Sequence, residues 1–165
     1  MPDSKRKYRP FSFFNFVIQN IFHMLELQNE KIEPMQLKTQ LDAVLYFIQQ
    51  LDIDMVNEIL DDERTYQDFP KALFIHKLGV AFDEFKAAGN ESLTMTSGMC
   101  DSIKCSYGCP GYRFVGPHSK HYMELLFVSE DGQVSDIYEC GHFKAMKSRK
   151  NLGKRIDIDK VEMPF

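Results

Sequence analysis

Four cysteines and one histidine are the residues best suited to chemistry. Cys100, Cys105 and Cys109 lie in the run CDSIKCSYGC, and Cys140 and His142 follow thirty residues later in CGH. Thiolates and imidazoles are the ligands a borderline-soft ion such as Zn²⁺ accepts, and four of them in a tetrahedron close a structural site. Cys105, Cys109, Cys140 and His142 form the candidate set, with Cys100 as a substitute. Such an ion would tie the 100–111 loop to the last strand and keep no open coordination position. Gly108, Pro110 and Gly111 suit a tight turn around it. Gaps of four, three and thirty residues are not the double CxxC of a zinc ribbon, and two other states compete. One is a disulfide that includes Cys105 or Cys109. The other is unliganded thiols, because reduced cysteine packs as a small hydrophobe.

A second candidate pairs Asp136 with Tyr138. If Asp131-Gly132 is a two-residue hairpin turn, opposed residues have numbers summing to 263. Met123 then faces Cys140, and His121 faces His142. Asp136 and Tyr138 lie across from Phe127 and Leu125, where an apolar setting would raise a carboxyl's pKa and fit it for general acid or base work. Tyr138 would orient a ligand oxygen. The competing reading turns Asp136 to solvent and Ile137 to the core. Phosphate loops, dinucleotide fingerprints, HExxH and calcium loops are absent from the sequence. Asn90-Glu91-Ser92 matches the glycosylation pattern but is idle in a cytoplasmic setting.

These groups need elements to hold them. Residues 14–28 (FNFVIQNIFHMLELQ) repeat apolar side chains at spacings of three and four, as a one-sided helix does. A second helix starts at Glu33-Pro34 and carries Leu37, Leu41, Val44, Leu45 and Ile48. Asp52 or Asp54 can cap a short helix around Met55–Leu60. Pro70 opens a helix over 71–87, and Ala88-Gly89-Asn90 ends it. Beyond Asn90 the period changes to two. Strands are expected over 92–99, 112–115 and 121–129, with a return strand over Gln133–Phe143. Helices first and an antiparallel sheet second give one α+β domain.

The chain has 165 residues, 44% of them hydrophobic, and a formal net charge of -4, enough for a core without crosslinks and unfavourable to nucleic acid. It has 14 Phe and 7 Tyr but no Trp, an aromatic content suited to a core or an apolar pocket. No apolar run reaches the length of a membrane span. Lys5, Arg6, Lys7 and Arg9 precede an apolar stretch broken by Asn15, Gln19 and Asn20, with no small-residue cleavage site, so a cytoplasmic protein is expected. Residues 1–33 read as an extension with a helix, 34–143 as the domain, and 144–165 as a basic tail. Segment 144–155 holds six Lys or Arg and no acid, which fits an exposed tail, with a phosphate-contacting patch as the sharper alternative.

The stretch LDIDMVNEILDDERTYQDFPKALFIHKLGVAFDEFKAAG, followed by the hairpin LLFVSEDGQVSDIYEC, resembles the NTF2-like, SnoaL-like cone fold over about residues 37–143. The resemblance implies helices packed on a strongly curved antiparallel sheet around a pocket. The cysteine-bearing loop and residues 1–33 are departures from it. It implies a domain that binds a small apolar molecule or a protein partner, or that forms a homodimer. The alternative it allows is an isomerase, dehydratase or hydrolase with Asp136 as acid or base in the cone.

Overall fold

The computed structural model describes residues 37–100, 110–145 and 148–162. The backbone divides into two units, Met1–Lys38 and Thr39–Phe165, and the second holds every element named below. The helix expected at 14–28 and the loop carrying Cys105 and Cys109 lie outside the described residues.

Three helices come first. α1 (Gln40–Gln49) starts at Thr39, whose hydroxyl accepts from Asp42 N–H while the Asp42 carboxylate accepts from Thr39 N–H, both at 3.1 Å. This reciprocal cap satisfies two donors the helix leaves open. α2 (Ile53–Ile59) is capped by the Asp52 carboxylate, which accepts from Met55 N–H. α3 (Lys71–Ala87) begins after Pro70 and ends before Gly89, whose φ of 87° is cheap for glycine alone. Along it Phe74, Leu78, Ala81, Phe82 and Phe85 are buried at helical spacing. Each large side chain among them contributes about 1.5–3 kcal/mol by leaving water.

Between α2 and α3 the chain forms a small hairpin, β1 (Thr65–Tyr66) and β2 (Phe69–Pro70). Its turn residues Gln67 and Asp68 have φ of 52° and 62°. Such turns favour Asn-Gly or Asp-Gly, so Gln67 sits in a costly conformation. Hydrogen bonds offset that cost. Gln67 N–H donates to the Asp136 carboxylate at 2.9 Å, and the Gln67 amide exchanges two bonds with Glu139, each of 3.2 Å.

The larger sheet contains β3 (Thr94–Cys100), β4 (Pro110–Val115), β5 (Tyr122–Glu130), β6 (Gln133–Tyr138) and β7 (Phe143–Ala145) in the order β6-β5-β4-β3-β7. All its strand pairings are antiparallel. Phe114, Met123, Leu125, Phe127 and Ile137 share one face and are fully buried. The other face carries Arg113, Glu124 and Leu126. It also carries Gly98 and Gly111, over which the Phe143 ring lies. A Cβ on either glycine would come within 2.6 Å of that ring.

This arrangement overturns the expected NTF2-like cone. A cone encloses its interior by bending the sheet sharply, whereas these five strands form an open, flat sheet ending in β6 and β7. The expected pocket face is instead filled with fully buried Phe, Met, Leu and Ile. The α+β order of helices followed by a hairpin-rich sheet holds, but many folds share that order.

The Asp131-Gly132 turn also holds, with Glu130 opposite Gln133 and Ser129 opposite Val134. The register then shifts by one residue. Ser135 is a bulge, so Val128 faces Asp136, Phe127 faces Ile137 and Leu126 faces Tyr138. Asp136 and Tyr138 therefore lie on the sheet face opposite to the one the simple alternation gives. β6 ends at Tyr138, so Met123 does not face Cys140, nor His121 face His142.

The edge of β5 that β6 leaves open receives the C-terminal segment instead. Tyr122 N–H donates to Lys154 C=O at 3.0 Å, and Ile156 N–H donates to Tyr122 C=O at 2.8 Å. Ile156 and Ile158 are buried, and buried Lys77 of α3 donates to Val161 C=O at 2.7 Å. Asn90 closes the opposite end. Its side chain bonds Phe85 C=O, the Ser119 hydroxyl, and the N–H groups of His118 and Ser119. With 2% of its surface exposed, it serves as a clamp, not a glycan acceptor. Among the described residues, no helix is long and apolar enough to cross a membrane.

Candidate functional site

One end of the large sheet gathers the thiols. β3 finishes at Cys100, which faces Phe143 of β7, and β4 starts at Pro110, which faces Met99. The Cys100 end of the 100–110 connection therefore lies beside the turn of Cys140, Gly141 and His142, and the Pro110 end lies against Met99. Cys100 is buried and forms an apolar cluster with Leu126 and Phe143, against which Cys140, Tyr138 and Ala145 pack. The thiols of Cys100 and Cys140 are free. Cys140 is half-buried and His142 exposed. Phe143 N–H donates to Cys140 C=O at 3.3 Å, which makes this segment a turn. Two-residue alternation thus does not put Cys140 and His142 on one face, as it would in a strand. Cys105 and Cys109, the other two members of the expected metal set, lie outside the described residues.

The expected acid–base pair has a different setting. The Asp136 carboxylate accepts from Gln67 N–H and Ile137 N–H, at 2.9 and 2.8 Å, and so anchors the β1–β2 turn to β6. Tyr138 packs, half-buried, against the Leu126–Phe143 cluster. Both side chains belong to the face bearing Glu124.

That face holds a charge arrangement that residue spacing does not reveal. Glu124 is buried on β5 and accepts from Arg113 at 2.8 Å and from Arg149 at 3.0 and 2.5 Å, while Arg155 approaches to 3.5 Å. The Arg149 guanidinium is held above its usual range chiefly by its hydrogen bonds to Glu124. Arg155 also bonds Asp157 at 2.5 Å and thereby links Glu124 to a second group of charges.

In that second group Glu139 accepts from Ile158 N–H at 2.6 Å, Asp159 N–H at 3.1 Å and the Gln67 amide at 3.2 Å. Burial pushes its carboxyl up, against the lowering effect of these donors. Burial also acts to raise Asp157, but hydrogen bonds from Lys160 and Arg155 outweigh it and hold that carboxyl low.

Glu139, Asp157 and Asp159 each offer an oxygen, and the three oxygens lie within 4.8 Å of one another at the surface. This acidic cluster is able to hold a metal ion. Its all-oxygen donors match hard cations better than zinc, and an entering ion would compete with Arg155 and Lys160 for Asp157. A surface cleft of about 320 Å³ adjoins it, lined by these acids together with Cys140, Arg155 and Lys160. Most small-molecule sites are largely apolar, whereas the walls here are largely charged.

The one signal in the sequence for this region is the run Arg155-Ile156-Asp157-Ile158-Asp159, which alternates with period two. It buries the two isoleucines and turns Arg155 to Glu124 and Asp157. Comparison of the chain with protein-family models, with curated proteins and with solved structures finds no match.

Proposed function

We propose that this chain is a binding domain whose 100–110 connection is stapled by a structural zinc ion to the turn carrying Cys140 and His142. Cys105, Cys109 and Cys140 supply thiolates, and His142 or Cys100 supplies the fourth ligand. The register of β3 with β7 is the observation that carries this reading. By setting Cys100 opposite Phe143, it starts the cysteine-bearing connection next to Cys140, and the pairing of Pro110 with Met99 ends it one residue along the same strand. The donor chemistry fits as well, since thiolates select zinc over the hard cations that suit Glu139, Asp157 and Asp159. A closed set of protein ligands makes the ion a fold-stabilising element. It would fix the shape of the loop that a small molecule or protein partner reads. Reduced thiols of this kind persist in the cytoplasm, the compartment this reading assigns.

The test is the metal content of untagged protein purified under reduction without added zinc, combined with thiol titration. About one zinc per chain is expected, with three or four thiols reacting only after a chelator is added. Metal-free protein with thiols that react at once would overturn the proposal.

A further inference from the structure

We infer that the open edge of β5 is a docking groove for an extended segment of a partner protein, and that the chain's own segment 154–161 is its resident occupant. This surface is separate from the zinc staple. The resident segment pairs with Tyr122 in parallel, through main-chain hydrogen bonds of 3.0 and 2.8 Å. Parallel pairing cannot arise from a tight turn, so no local turn holds the segment against β5. Side chains of the body bind further main-chain groups of the segment. Glu139 accepts from the successive N–H groups of Ile158 and Asp159 at 2.6 and 3.1 Å, and Lys77 of α3 donates to Val161 C=O at 2.7 Å. Main-chain contacts of this kind are how strand-addition sites gain affinity, and they are open to any extended chain.

Lys77 makes the groove require an occupant. It is only 7% exposed, and its Nζ lies 5.3 Å from the centre of the Phe69 ring. Among the described residues, its one hydrogen bond is the bond to Val161 C=O. With the segment gone, a buried ammonium loses its acceptor, and an entering chain restores it. Specificity comes from the alternation. Ile156, Ile158 and Val161 are buried, while Arg155 reaches buried Glu124 at 3.5 Å. The negative Glu124 therefore selects a basic residue just ahead of the first aliphatic one. The partner segment reads basic, aliphatic, any, aliphatic, any, any, aliphatic. It competes with a resident segment that its covalent link holds at an effective concentration of about a millimolar.

The probe is a fluorescently labelled peptide of residues 153–162, GKRIDIDKVE, added to the full-length protein. In the full chain carrying Ile156→Ser and Ile158→Ser, the resident segment loses its apolar hold. The peptide should bind that chain at least about tenfold more tightly than it binds the wild type. Adding Lys77→Met should weaken the binding by about tenfold or more, as the loss of a buried hydrogen-bond partner does. A folded double-serine chain that leaves the peptide unbound overturns the inference. So does a wild-type dimer in sedimentation that the two serines abolish, since a second copy is then the occupant. Hydrogen exchange on the wild type decides the question even if the double-serine chain fails to fold. With unlabelled peptide at millimolar concentration, the Ile156, Ile158 and Asp159 amides should exchange at least about tenfold faster, and those of Leu125 and Phe127 should not change. Exchange that the peptide leaves unaltered overturns the docking groove.

Discussion

Glu124 and Glu139 are linked through Arg155 and Asp157, yet they are compensated in opposite ways. Glu124 is fully buried and bound by guanidinium groups from β4 and from the C-terminal segment. Glu139 is only half-buried, receives neutral N–H groups and lies beside two further acids. The guanidinium groups compensate the Glu124 charge with charge, so removing it disturbs several cations at once. Dipoles compensate Glu139, and burial still pushes its carboxyl up. The same residue type is thus an electrostatic keystone at one position and a backbone anchor at the other.

The largest effect that tests this contrast comes from Glu124→Gln, which keeps the shape and removes the charge. Losing one partner of a buried ion pair costs about 3–5 kcal/mol, because the remaining charge stays out of water. Urea unfolding should show a loss of that size, and far less for Glu139→Gln. Arg149 is half-exposed and joins Glu124 from the C-terminal segment, so proteolysis after residue 148 should also accelerate in the Glu124 variant. Equal and small losses at the two glutamates would abolish the distinction.

How much of this could be read from the sequence depends on how local the deciding physics is. α3 was legible almost to the residue, because Pro70 cannot continue a preceding helix and Gly89 supplies a left-handed exit. The Asp131-Gly132 turn was legible for the same reason. The bulge at Ser135 was not. One extra residue reverses the facing of everything after it, and no residue type announces it. The Gln67-Asp68 turn is not legible, because neither residue is the glycine such a turn prefers. Its conformation is secured by Asp136 and Glu139, about seventy residues away. The curved cone was inferred from element order, which does not determine curvature. Among the site residues, Cys140 packs against the cluster of Cys100, Leu126 and Phe143, a contact that β7 returning beside β3 creates and residue spacing does not encode. The Glu124 cluster was missed, since its arginines are spread across residues 113–155 and only the sheet register assembles them.

A smaller effect sharpens the comparison through pH. Glu139 has its folded-state pKa raised, so the folded protein holds this proton more tightly than the unfolded chain. Its contribution to stability is therefore full below the unfolded value, about 4.3, and is lost as pH rises through the folded one. Relative to wild type, Glu139→Gln should gain stability as pH increases across that window. Parallel urea titrations of the two proteins from acid to neutral pH measure the difference. A gap that narrows with falling pH would mean the donors from Ile158, Asp159 and Gln67 outweigh burial.

The smallest effect belongs to Asp157, which lies between the two groups and bonds Arg155 and Lys160. Its carboxyl is held low, so the sign reverses. Its contribution is present above the unfolded value and disappears as pH falls through the depressed one. Lys160 is largely exposed, and ion pairs with such partners contribute about 1 kcal/mol or less. Asp157→Asn should therefore cost no more than that at neutral pH and nothing in strong acid, and added salt should shrink the cost. Arg155 also reaches Glu124, so the double variant Glu124→Gln/Asp157→Asn tests whether the groups communicate. If Arg155 couples them, the double loss will differ from the sum of the single losses by more than the roughly 0.5 kcal/mol seen for independent sites. If the losses add within that margin, Glu124 and Glu139 anchor two separate regions.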